Sequence, residues 1–180
     1  TFGDNTDGMA WFDLDKDRAI LAVNNEYMNP EIMFNHQGKN MSLDDVRYEQ
    51  NSIGVSIFEI SKNKDGYYSV VLDSPYNRRI TANTEMEIQG PARAHKLMKT
   101  KVDKSGTKVF GTINNCASGK TPWGTYLTCE ENFDDFFGSS DKNYKFNLAQ
   151  KRYGLSIKGE NYEWKLDERF DIVKNENEAN

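Results

Sequence analysis

The stretch Asn114-Asn115-Cys116-Ala117-Ser118-Gly119-Lys120-Thr121-Pro122-Trp123-Gly124-Thr125-Tyr126-Leu127-Thr128-Cys129-Glu130-Glu131-Asn132-Phe133 holds both cysteines of the chain, two adjacent carboxylates, a tryptophan and three glycyl or prolyl breakers. Thiolates and carboxylates are metal ligands. Glycine and proline let a backbone turn sharply around an ion. Residues 124–129 read as a short strand, and the strand expected over residues 108–113 reads as its neighbour. Short strands joined by tight turns are the pattern that the rest of the chain repeats.

Working outward, Ala-Ile-Leu-Ala-Val-Asn at residues 19–24 is an apolar run closed by Asn-Asn, a strand signal. Met9-Ala10-Trp11-Phe12 reads as another short strand, preceded by the turn chemistry of Asp4-Asn5-Thr6-Asp7-Gly8. Ser42 is a good N-cap, and Asp44 and Asp45 add negative charge to the first turn of a helix over roughly residues 43–51. Gly54 closes that helix, and residues 55–60 follow as a strand. Lys64-Asp65-Gly66 is a hairpin turn, with residues 67–72 as the partner strand. Residues 74–104 read as mainly irregular. Phe133-Asp134-Asp135-Phe136-Phe137 reads as one helical turn, residues 139–165 as a polar excursion, and residues 169–173 as a last strand. The fold class is all-β, a sandwich, barrel or propeller with short helical insertions. No repeat of fixed period selects among these.

At 180 residues the chain is long enough for one domain with a sizeable core. Apolar content is low at 37%, but aromatics make up 12%, which argues for a folded chain rather than a disordered one. The net charge of −5 and the lack of a basic run give no support to nucleic-acid binding, while an acidic balance suits cations. Nothing resembles a membrane span or a signal peptide. Two cysteines cannot build a disulfide framework, although one bridge would close a short loop if the protein is exported. The opening Thr1-Phe2-Gly3, without an initiator Met, reads as the start of a piece cut from something longer.

Taken alone, Cys116 and Cys129-Glu130-Glu131 are either metal ligands or two buried free cysteines beside a solvated Glu pair. In a continuing strand, Cys129 and Glu131 share one side and Glu130 takes the other; if the strand ends near Thr128, that parity fails. Glu26, in Asn24-Asn25-Glu26-Tyr27, follows an apolar strand directly and can ligate a metal or face water. Asp4-Asn5-Thr6-Asp7-Gly8 has the look of a calcium loop without the EF-hand spacing, and a turn is the simpler reading. Arg78, Arg79 and Arg93 are candidate phosphate partners, because the guanidinium fork donates bidentately. His36 and His95 are the only histidines, too few for a His-rich zinc site.

Several segments resemble the PhoX-type alkaline phosphatases, whose hallmark reads much like "NCA-G-TPWGT-LTCEEN". They are Phe2-Gly3-Asp4-Asn5-Thr6-Asp7-Gly8-Met9; Leu21-Ala22-Val23-Asn24-Asn25-Glu26-Tyr27; Gly90-Pro91-Ala92-Arg93-Ala94-His95; the stretch from Asn114 to Phe133; Arg169-Phe170-Asp171; and Asn177-Glu178-Ala179-Asn180. The resemblance implies a β-propeller-like catalytic domain, of which residues 1–180 are one part truncated at both ends. It implies hydrolysis of phosphomonoester small molecules by the full-length parent, with iron and calcium as cofactors and a periplasmic or secreted location. It makes Cys116 an iron-bridging thiolate, Glu26, Glu130 and Glu131 metal ligands, and Arg93 and Cys116 catalytic. Cys129 reads as a buried neighbour. Asn25 stands where the family has His, and Ala94 where it often has Gly. The alternatives are a non-catalytic calcium-binding propeller and a propeller lactonase-type hydrolase. An incomplete propeller exposes strand edges, so the 180 residues alone are expected to be inactive and to self-associate, without nucleic-acid partners or membrane insertion.

Overall fold

Apolar runs punctuated by turn residues produce short antiparallel strands. The computed structural model describes residues 3–159 and 162–179. Thr1 lies outside the described residues, as do Phe2 and Asn180, at the ends of two resembling segments, and residues 160 and 161 of the polar excursion. The strands are β1 (Thr6–Asp13), β2 (Arg18–Asn25), β3 (Gly54–Lys62), β4 (Tyr68–Val70), β5 (Arg78–Ile80), β6 (Glu85–Glu87), β7 (Lys108–Phe110), β8 (Asn115–Lys120) and β9 (Tyr126–Glu130). Three short α-helices, α1 (Pro30–Met33), α2 (Leu43–Gln50) and α3 (Leu148–Arg152), and several single 3-10 turns interrupt them. The architecture is mostly β-sheet. Among the described residues no helix is long and apolar enough to cross a membrane.

The chain divides into two units. The first comprises Thr1–Met33, Gln50–Thr84 and Gly111–Glu131. Its sheet runs β1-β2-β3-β4, all antiparallel, and β5 pairs with the first part of β3. The turn into β4 is the expected one: the Gly66 N–H donates to Asn63 O at 3.1 Å, and φ of +88° suits glycine. Ala22, Val55 and Ile57 are buried at the centre, with Phe12, Ile20, Ile80 and Tyr126 packed around them. Tyr126 belongs to the β8–β9 hairpin, so this apolar contact ties the hairpin to the sheet. Burying a side chain such as Ile57 contributes roughly 1.5–3 kcal/mol.

The second unit comprises Phe34–Glu49, Glu85–Phe110 and Asn132–Asn180. It has one two-stranded ribbon, β6–β7, and is held by aromatic packing. Phe136 and Trp164 rings lie 4.6 Å apart, and Trp164 and Phe170 meet edge to face at 4.7 Å. As expected, α2 starts after Ser42, whose Oγ accepts from the Asp45 N–H while Asp45 Oδ2 accepts from the Ser42 N–H. Asn147 and Gln150 form a capping box at α3.

Three expectations are corrected. Residues 108–113 are not one strand paired with residues 124–129: β7 stops at Phe110 and pairs with β6, while β9 pairs with β8. The chain bends because Asn114 adopts φ of 46° and the Ile113 N–H donates to Glu130 Oε1 at 3.0 Å instead of joining a ladder. Residues 169–173 form no strand. Asp167 Oδ1 accepts from the Arg169 N–H and caps a 3-10 turn over Glu168–Phe170, leaving a single bridge between Gly138 and Asp171. Residues 74–104 are less irregular than expected, since they contain β5, β6 and a 3-10 turn at Lys96–Met98.

Candidate metal centre

Two β-bulges build the centre. In β1, Thr6 pairs with Asn25 and Met9 with Val23, so Asp7 and Gly8 together stand opposite Asn24 alone. In β8, Asn115 pairs with Glu130 and Ser118 with Thr128, so Cys116 and Ala117 stand opposite Cys129 alone. An extra residue kinks a strand and re-aims its side chains. The turn expected at residues 4–8 is therefore shorter: Asn5 takes φ of 44°, and Asp7 and Gly8 already lie in the strand, on the bulge. The two bulges touch. A Cβ on Gly8 would lie 2.5 Å from Cys116 O and 2.8 Å from Ser118 Cβ, so only glycine allows this approach.

The approach brings together Asp7, Glu26 and Cys116. One carboxylate oxygen from each acid and the Cys116 Sγ lie within 4.8 Å of one another. Glu26 is held just past the end of β2, where its N–H donates to Asn5 O at 3.0 Å. Glu131 follows β9, and its N–H donates to Asn114 O at 3.0 Å. The Glu131 carboxylate also meets the Cys116 thiol and the Glu26 carboxyl.

The cluster is acidic and lacks compensation. The Asp7 and Glu131 carboxylates accept from the Cys116 thiol and push its pKa up to about 12, so the proton stays on sulfur. Burial raises the Glu26 pKa, and the neighbouring Asp7 and Glu131 charges push it the same way. Among the described residues no cationic side chain contributes to either shift. Carboxylates crowded around a protonated thiol fit a bound cation, which would take the place of the proton.

Of the residues singled out in the sequence, Glu26 and Cys116 meet in this cluster and Glu131 touches both. Glu130 points elsewhere: its Oε1 accepts from Thr112 Oγ1 at 2.7 Å and from the Ile113 N–H. Arg93 is exposed on the turn after Pro91 in the second unit, where its N–H donates to Gly90 O. Asn25 is buried, accepting from the Gly3 N–H and donating to Ser56 Oγ, so its side-chain oxygen is already engaged. Both cysteines are free, and Cys129 is exposed rather than buried. Trp123 is 79% exposed at the hairpin turn, not a core residue. Asp7 is the member that the sequence offers only within the calcium-loop-like turn at residues 4–8. Its acidic Asp-Gly signal was visible, but the turn reading absorbed it.

A thiol and carboxylates gathered at facing bulges define a candidate metal centre in a mostly β chain. The chain belongs to the alkaline phosphatase PhoX family, whose model matches residues 1–180. Among solved structures it is similar to Pseudomonas fluorescens PhoX in complex with vanadate, a transition state analogue. The two share 50% identity at a TM-score of 0.94, over 98% of this chain and 31% of that one. The chain thus spans about a third of that protein's length. No curated protein matches it.

Proposed function

We propose that this chain supplies one wall of the metal centre of a phosphomonoesterase, whose activity belongs to the full-length parent. The observation that carries the reading is the convergence of Asp7, Glu26 and Cys116 within 4.8 Å, with Glu131 against them. Oxygen donors suit calcium, and a thiolate donor suits iron. Phosphate-ester hydrolysis needs compensation of the charge on the transferring group and an activated oxygen nucleophile, both of which bound cations supply.

The chain's own residues prepare that chemistry. Asp7, Glu26 and Glu131 provide the negative field that draws a cation, and Cys116 gives up its proton when one binds. Arg93 is the proposed partner of phosphate oxygens, a role its exposed guanidinium and its place after Gly90-Pro91 support. A propeller-like parent domain and a periplasmic or secreted location belong to the same reading. So do inactivity and self-association of the 180 residues alone, because short sheets with open edges seek partners.

The test is elemental analysis of the full-length parent for iron and calcium, paired with a phosphomonoester assay before and after chelation. Iron with chelator-sensitive turnover, both lost in Cys116→Ala, supports the reading. Unchanged iron content and unchanged turnover in Cys116→Ala refute it.

A further inference from the structure

Asn24 is fully buried behind the cluster, and its side chain bonds to both β8 and β9. It stands opposite the β1 bulge that carries Asp7 and Gly8. Its Nδ2 donates to Cys116 O at 2.7 Å and reaches Ala117 O at 3.4 Å, the two carbonyls of the β8 bulge. Its Oδ1 accepts from Tyr126 Oη at 2.9 Å and from Thr128 Oγ1 at 3.1 Å. The Tyr126 hydroxyl also lies 3.1 Å from Gly8 O, the carbonyl of the other bulge. Asn24 holds a carbonyl of the β8 bulge directly, and the single Tyr126 proton, shared between Asn24 Oδ1 and Gly8 O, links Asn24 to the β1 bulge.

The chain of bonds continues away from the cluster. Asn115 Nδ2 donates to Thr128 Oγ1 at 3.0 Å and to Thr112 Oγ1 at 2.9 Å, and Thr112 Oγ1 donates to Glu130 Oε1. Asn24 cannot rotate without breaking its bonds to Cys116 O, Tyr126 and Thr128. A buried polar network bonded in this way favours a single geometry, although Asn115 Oδ1 is buried without a hydrogen-bond partner among the described residues.

We infer that Asn24 is the positioning residue of the centre: its side chain, clamped by Tyr126 and Thr128, locks the two bulges in register and sets the distance from Cys116 Sγ to the Asp7 and Glu26 carboxylates. The Glu130 carboxylate anchors the far end of that network through Thr112 and Asn115. Asn24 touches no reacting atom and acts through the backbone of Cys116. This inference rests on the metal-centre reading above.

The test is made on the full-length parent with Co2+ as the probe, read by the thiolate-to-cobalt charge-transfer band, with the exposed thiol removed by Cys129→Ser. Asn24→Asp, read at a pH high enough to ionise the buried carboxyl, keeps both acceptor bonds from Tyr126 and Thr128 but removes the donor to Cys116 O. Its added negative charge attracts cations, so weaker attraction does not account for a lost band. The expected result is Co2+ bound by carboxylates with the thiolate band gone. Tyr126→Phe, a neutral change, is expected to weaken Co2+ binding about tenfold. If Asn24→Asp fails to fold by circular dichroism, Tyr126→Phe and Thr128→Val decide. A full band at unchanged affinity in the folded variants overturns the positioning role while leaving the metal reading intact. No band in the unaltered chain, matching Cys116→Ala, overturns both.

Discussion

The Trp164 indole donates to Glu49 Oε2 at 2.8 Å, while Glu49 Oε1 is buried without a hydrogen-bond partner among the described residues. Burial pushes this carboxyl up to about 7, and Asp45 one turn earlier on α2 pushes it the same way. From the ordinary value of 4.5 up to about 7 the folded chain keeps a proton that the unfolded chain releases. Stability of the second unit therefore falls as pH rises through that window and levels off above it, a loss of roughly 3 kcal/mol. Glu49→Gln mimics the protonated carboxyl and is expected to flatten the profile. Urea unfolding at several pH values between 5 and 8 checks this, and a flat wild-type profile contradicts it.

Gly8→Ala forces the β1 bulge away from Cys116 O. The expected cost is about 1–3 kcal/mol of stability, together with weaker cation binding. Gly119→Ala is the control, because a Cβ there meets only Leu127 Cβ at an ordinary 3.9 Å. That change is expected to stay within about 0.5 kcal/mol. Equal effects from the two substitutions, in paired denaturation curves, would remove the bulge contact as the cause.

Cation binding at Cys116 must expel the thiol proton, since the metal-free thiol titrates at about 12. At neutral pH at least one proton is released per cation bound through sulfur. Apparent affinity then rises about tenfold per pH unit for each proton released. Calorimetry in buffers of different ionisation enthalpy counts the protons. A count of zero in a chain that binds the cation would show that sulfur is not a ligand.

Ala94 sits at φ of 65°, with its N–H donating to Gly106 O at 2.7 Å. Left-handed backbone penalises any Cβ. Ala94→Gly is expected to stabilise the chain by about 0.5–1 kcal/mol net of the entropy glycine adds to the unfolded state. A lower melting temperature for this variant would be the contrary result.

Much of the first unit's sheet was legible in the sequence. β2 and β3 announce themselves as apolar runs, the turn at Gly66 by its Lys-Asp-Gly signal, and α2 by Ser42 and the acids behind it. β5 and β6 escape because three residues carry no period. β8 escapes because Asn-Cys-Ala-Ser-Gly-Lys has no apolar alternation, and its pairing with β9 is set by tertiary contacts. In the centre, Glu26, Cys116 and Glu131 were legible as residue types within motifs. Asp7 was legible only as part of a calcium-loop-like turn, because the bulge that aims it leaves no mark on the sequence. Glu130 and Glu131 are neighbours with opposite fates, divided by the end of β9 between them.

The bond from Asn24 to Cys116 joins residues 92 positions apart. During synthesis, Asp7 and Glu26 leave the ribosome long before the thiol does, and Glu131 comes later still. Until then the nascent chain offers two carboxylates and nothing to fix their spacing to a third donor. Closing so long a loop must precede assembly of the donor set. Any capture of a cation at this cluster would thus be an act of the finished fold, and a ribosome stalled before residue 116 would hold a chain that has acid groups but not the clustered donor set.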